Sequence, residues 1–191
     1  MKVAAVILAA GASTRLGSPK QLIRLHGVTL LDHTLQAAQS AGCDPLLVVL
    51  GSSSEAIHKE CRLTGATILL NKHWREGMST SVRTGIDALP LDVSAVLLLT
   101  CDQINITAEH LQNLISATHL SQQPTASAYS SKRGVPACLP RDWFPSLVAL
   151  QGDTGAGSLL TDAEAIPLSG GEVDIDTPED LLRLRPESSR S

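Results

Sequence analysis

The sequence predicts an α/β fold, a mostly parallel sheet with helices on both faces. Three observations carry this. Short apolar runs alternate with helix-periodic segments through the first 120 residues, as parallel strands joined by right-handed crossovers do. The first run, Val3 to Ala10, is apolar throughout, as a strand covered on both faces should be. Only Trp74, Tyr129, Trp143 and Phe144 are aromatic, so the core is Leu, Val, Ile and Ala.

Val3 to Ala10 is a buried strand. Thr29 to Ala41 places Leu31, Leu35 and Ala38 at helical spacing and stops at Gly42. Pro45 to Leu50 is a second strand, and Ser54 to Cys61 a helix with a serine cap. Ala66 to Leu70 is a third strand. Ser79 to Leu89 aligns Val82, Ile86 and Leu89 on one helix face. Ala95 to Thr100 is a fourth strand, followed by a Thr107-capped helix to Thr118. Beyond it, Thr125 to Tyr129 and Pro136 to Leu139 are expected strands and Arg141 to Leu150 a short helix. Thr177 to Arg185 is a helix with Pro178 at its first position and acids in its first turn. This part is expected to finish the same sheet and cover one edge.

The 191 residues suit one domain, taken as 1–186 with a frayed tail at 187–191. A net charge of −4 leaves no basic footprint for nucleic acid, and four aromatics leave no stacking platform for single strands. No 18-residue apolar run exists, so no membrane partner is expected. The first strand starts two residues after Met1, leaving no room for a signal peptide. Cys43, Cys61, Cys101 and Cys138 form no C-x-x-C pair, which argues against zinc and for reduced thiols in the cytoplasm. The six histidines show no ligand spacing.

The chemistry concentrates after the first strand. In open parallel sheets, ligands lie beyond the carboxyl ends of the strands. There Gly11 and Gly17 allow close backbone approach, while Arg15 and Lys20 supply charge for phosphate oxygens. A triphosphate is the natural ligand, although a surface turn with two solvated cations would read the same. G-x-x-x-x-G-K-[ST] and G-x-G-x-x-G are both absent. Asp102 follows a buried strand, where a carboxylate can hold Mg²⁺ beside phosphates; an ordinary turn acid is the plainer alternative. Asp174 and Asp176 suit either a metal or a helix cap.

"LAAGASTRLGSPK" (Leu8 to Lys20) resembles the L-A-[AG]-G-x-S-x-R-x-G-x-x-K signature of nucleotidyltransferases, and more narrowly the MobA-like family. Ala10 resembles its cytidylyltransferase (MocA-type) members, where guanylyltransferases usually carry Gly. The resemblance runs to about Arg185. It implies a three-layer, Rossmann-like, nucleotide-diphospho-sugar transferase-like fold. It assigns nucleotide binding to Leu8, Ala9, Ala10, Gly11, Ala12 and Ser13, and catalysis to Arg15 and Lys20. "NKHWREGMSTSVRTGI" (Asn71 to Ile86) resembles the family's N-x-x-W-x-x-G-M-x-x-S segment and places Gly77, Met78 and Ser81 beside the base; a plain capped helix would look alike. "LLLTCDQ" and "VDIDTPEDL" make Asp102 and Asp176 the pair sharing Mg²⁺.

The implied activity is transfer of CMP from CTP to molybdopterin, releasing pyrophosphate, with a molybdenum hydroxylase as downstream partner. Three positions depart from the family pattern on the acceptor side: Val135 for His in G-H-P, Ile104 for Pro in D-Q-P, and Gly157 for Arg in G-D-x-G-A-R. They leave the acceptor open and motivate a non-catalytic molybdenum cofactor carrier; a guanylyltransferase and a sugar- or polyol-phosphate cytidylyltransferase are the alternatives within the same chemistry.

Overall fold

The computed structural model describes residues 1–177, 179 and 180. The chain begins with β1 (Val3–Ala9), then a hairpin of β2 (Arg24–Leu25) and β3 (Val28–Thr29), and α1 (Leu30–Ser40). Next come β4 (Leu46–Leu50), α2 (Ser54–Glu60), β5 (Ala66–Leu70), α3 (Met78–Asp87), β6 (Ala95–Thr100) and α4 (Ala108–Ser121). The last part adds β7 (Thr125–Tyr129), β8 (Lys132–Pro140), α5 (Phe144–Val148) and β9 (Glu164–Pro167).

Seven strands form one sheet in the order β5-β4-β1-β6-β8-β7-β9. Strands β5, β4, β1 and β6 are parallel. Strand β8 runs antiparallel to both β6 and β7, and β9 is parallel to β7. Chain order therefore reverses beside β1, which has β4 on one side and β6 on the other. That crevice is where open α/β sheets bind ligands.

Strand β1 divides the core. Ala5, Ile7 and Ala9 pack with Leu31, Leu35, Leu111 and Leu114 of α1 and α4. Ala4, Val6 and Leu8 pack with Val82, Ile86 and Leu147 of α3 and α5. These are the three expected layers. Helix α3 lies so close to β1 that a Cβ on Gly85 would overlap Val6.

Several local expectations change. The β2–β3 hairpin was not expected; its His26-Gly27 turn has φ of 50° and 84°, the geometry of a tight two-residue hairpin turn. Strand β8 starts at Lys132, because Ser130 and Ser131 both adopt positive φ and turn the chain straight back from β7. The expected serine cap of α2 is absent: Ser53 is left-handed and makes no side-chain cap bond. The segment from Arg141 is a 3₁₀ turn followed by the five-residue α5. The expected Thr177–Arg185 helix falls largely outside the described residues, as does the tail at 187–191. Among the described residues, no helix is long and apolar enough to cross a membrane.

Candidate active site

Leu8 of β1 pairs in register with Thr100 of β6, so the segments holding Ala10 and Asp102 leave the sheet side by side. The first then folds into the Gly11–Pro19 loop. Ser13, at φ 51°, takes the Leu16 and Gly17 N–H groups on its carbonyl, at 3.0 and 3.2 Å. Its Oγ accepts the Lys20 N–H at 3.1 Å, which fixes where the lysine leaves the backbone. Gln21 is buried, and its Nε2 donates to the Ala9 and Gly11 carbonyls at 2.8 and 3.2 Å. One side chain thus ties the end of β1 to the loop.

Lys20 Nζ donates to Asp102 Oδ2 at 2.5 Å and to Asp176 Oδ1 at 3.0 Å. Arg15 donates to the other Asp176 oxygen at 2.8 Å. Asp176 reaches this point because its segment docks on the end of β6. The Ile175 N–H donates to the Asp102 carbonyl at 3.3 Å, and the Ile175 side chain is fully buried with Leu16 and Leu30. Asp180 Oδ2 then accepts the N–H groups of Asp176 and Thr177.

Burial weakens the Lys20 charge, but Asp102 and Asp176 outweigh it and raise its pKa above the ordinary lysine value. Burial likewise opposes the Asp176 charge, and Lys20 and Arg15 outweigh it, holding the carboxyl below its usual range. For Asp174 the balance runs the other way: burial, then Asp102 and Asp176, push it up to about 6 against the opposing charge of Lys20.

Two clefts meet at Lys20 and Gly11. The first, about 180 Å³, is lined by Leu8, Ala9, Ala10, Gly11, Lys20, Gly77, Met78, Ser81 and Asp102, with Gln21, Trp74, Thr100, Cys101 and Asp153. The second, also about 180 Å³, is lined by Ser13, Arg15 and Asp176 with Thr14, Leu16 and Ile175. The expected residues therefore converge, except Ala12, which lines neither cleft.

The far wall of the first cleft is the start of α3. Gly77 has φ 116°, and a Cβ there would overlap the Gly152 carbonyl. That carbonyl accepts the Ser79 N–H at 3.2 Å, and Asp153 Oδ1 accepts the Met78 N–H at 3.3 Å. A distant loop thus caps the helix. Asn71 Nδ2 donates to the Thr80 and Ser81 hydroxyls at 2.8 and 2.9 Å. Gln21, Asn71 and Asp153 were not singled out from sequence. Gln21 adjoins Lys20 and Asn71 opens the quoted tryptophan segment, but nothing in the spacing links Asp153 to α3, 75 positions away.

Among the described residues, no three His, Cys, Asp or Glu side chains could hold a metal by themselves. Asp102 and Asp176 nevertheless turn oxygens to one shared cation. Two carboxylates completed by phosphate and water suit Mg²⁺ or Mn²⁺, so the donor set fits such an ion.

The three acceptor-side departures have separate structural settings. Ile104 packs on the Leu16–Leu30–Ile175 cluster, clamping the loop to the Asp176 segment. Val135 packs against the core beneath α3 and α5. Gly157 faces open space, where an added Cβ meets nothing within 4 Å.

Residues 5–166 match the MobA-like NTP transferase domain. Over 95% of this chain and 96% of its own, the nicotine blue oxidoreductase of Paenarthrobacter nicotinovorans is 30% identical. The crystal structure of Rv0371c from Mycobacterium tuberculosis H37Rv superposes with a TM-score of 0.84 at 26% identity, over 96% of this chain and 97% of that one. A structure of the same mycobacterial protein in complex with manganese gives a TM-score of 0.78 at 25% identity, over 96% and 98%.

Proposed function

The chain belongs to the MobA-like NTP transferase family and is a nucleotidyltransferase, and from that premise we propose that it moves CMP from CTP to the phosphate of molybdopterin. An acceptor phosphate oxygen attacks the α-phosphorus in line. The bond to the bridging oxygen of the β-phosphate breaks, and pyrophosphate leaves with that electron pair. An already ionised phosphate is the nucleophile, so no general base is needed. Catalysis is then positioning and charge neutralisation.

In this reading the Leu8–Ser13 segment cradles the nucleotide, with Gly77, Met78 and Ser81 beside the base. Lys20 and Arg15 neutralise charge on the α-phosphate and the departing pyrophosphate. Asp102 and Asp176 would hold Mg²⁺, which when bound would supply further neutralisation of phosphate charge. The observation that carries the reading is the Lys20–Asp102–Asp176–Arg15 cluster where two clefts adjoin. The manganese complex of the mycobacterial neighbour supports a divalent ion, and Ala10 supports cytosine.

The test is pyrophosphate release with each of the four ribonucleoside triphosphates, Mg²⁺ and molybdopterin. Release with CTP, dependent on molybdopterin, is expected. Preference for GTP would move the protein to the guanylyltransferase branch, and release only with a sugar or polyol phosphate would replace the acceptor. Tight binding without release would make it a carrier that delivers cofactor to a molybdenum hydroxylase, a reading that Val135, Ile104 and Gly157 support. The oxidoreductase name of the Paenarthrobacter relative supports a fifth outcome, electron transfer from an added donor to an added acceptor with no pyrophosphate released.

A further inference from the structure

Lys20 is engaged twice over. Its side chain is 20% exposed, and its ammonium bonds to oxygens of both carboxylates assigned above to the divalent ion. Arg15 takes the remaining Asp176 oxygen. Two cations thus face two carboxylates, and the cluster is formally neutral. A divalent ion entering alone would add two charges and would need the oxygens Lys20 already holds. A nucleoside triphosphate brings the opposite sign and offers phosphate oxygens to a lysine lining both clefts. The backbone of Lys20 is fixed by Ser13, whereas four methylenes let the ammonium swing without moving the loop.

We propose that Lys20 and the divalent ion compete for the facing oxygens of Asp102 and Asp176, so that a nucleoside triphosphate admits the ion by drawing Lys20 onto its phosphates. The inference rests on the assignment of those two carboxylates to the metal. Lys20 then has two stations. Between the carboxylates it suppresses binding of the free ion; on the phosphates it serves transfer. Metal and nucleotide therefore bind as a coupled pair, with an energetic linkage that runs through one side chain. Arg15, more exposed and on one oxygen of one carboxylate, cannot hold both ligands at once.

The experiment is Mn²⁺ binding to the nucleotide-free full-length protein, read by electron paramagnetic resonance of the free ion. Wild type is compared with Lys20→Met, Asp102→Asn and Asp176→Asn. Lys20→Met keeps an unbranched side chain, one atom shorter, and removes its charge. It should bind Mn²⁺ more tightly by about tenfold or more, roughly the value of one charge-assisted hydrogen bond, although its transfer is slowed. A second measurement uses unaltered protein: the rate at which an amine-directed acylating reagent modifies Lys20, followed by mass spectrometry. Saturating Mn²⁺ should raise that rate by releasing the ammonium. Unchanged or weaker Mn²⁺ binding by Lys20→Met, or an acylation rate indifferent to Mn²⁺, overturns the competition if the aspartate variants lose the ion. Mn²⁺ binding that survives both Asp102→Asn and Asp176→Asn overturns the metal assignment itself, and the competition with it.

Discussion

Replacing the two cations of the loop separately gives unequal losses, and burial sets the ratio. Lys20 has a 20% exposed side chain and bridges two carboxylates, whereas that of Arg15 is 72% exposed. A unit charge about 4 Å from its partner is worth roughly 4 kcal/mol at an effective dielectric of about 20 and about 1 kcal/mol in water. Lys20 lies toward the first limit, Arg15 toward the second. Lys20→Ala should lower kcat by about 10²–10³, the loss seen when one preorganised donor to developing charge is removed. Arg15→Ala should cost about five- to tenfold, at roughly 1.4 kcal/mol per decade, and its loss should shrink further as salt screens the exposed guanidinium. Steady-state pyrophosphate release, on variants with wild-type circular dichroism and at two ionic strengths, measures both. A Lys20→Ala loss below tenfold, or an Arg15→Ala loss equal to it, would show that burial does not set the ratio.

The Gly85 contact with Val6 makes Gly85→Ala an overpacking change, expected to cost about 1–3 kcal/mol and, at about 2–4 °C per kcal/mol, to lower Tm by roughly 2–12 °C; an unchanged melting curve would show that α3 yields there. His110 is buried against the Ser127 hydroxyl at 2.8 Å, and burial lowers its pKa below the ordinary 6.5. The unfolded chain therefore takes up a proton there first as pH falls, so stability is full above about pH 6.5 and declines below it. His110→Gln should flatten that decline in Tm between pH 7.5 and 5.5. Gly157→Arg enters open space, so stability should change by no more than about 0.5 kcal/mol, while KM for a phosphorylated acceptor falls if the added guanidinium reaches it; titration of acceptor at saturating nucleotide checks this.

Strands β1, β4 and β6 were legible because burial on both faces removes the polar residues that blur a pattern, whereas the more exposed β5 showed only as a short apolar run. Val3–Ala9, Leu46–Leu50 and Ala95–Thr100 are buried from end to end but for Thr100. Strand β9 was not, since Glu164–Pro167 is a short, mostly exposed strand paired with β7. The first turn of β8 hid in "KRG", whose exposed polar residues read as a loop. For the site, spacing marked the loop but not its partners. Lys20 meets Asp102 across 82 positions and Asp176 across 156, so only the family resemblance linked them in advance. Ile104 illustrates the reverse: a departure from the motif in sequence is, in three dimensions, a packing residue fastening the Asp176 segment.

The central claim is nucleotidyl transfer at the Lys20–Asp102–Asp176 junction, with cytosine as the base. Its most direct test is the fate of the α-phosphorus. The protein would be given CTP labelled at that atom, Mg²⁺ and molybdopterin, and the products separated. Label is expected in a molybdopterin–cytosine dinucleotide, formed in equal amount with unlabelled pyrophosphate and about 10²–10³-fold more slowly by Lys20→Ala. Label remaining wholly in CTP, from folded protein shown to bind both ligands, would contradict it.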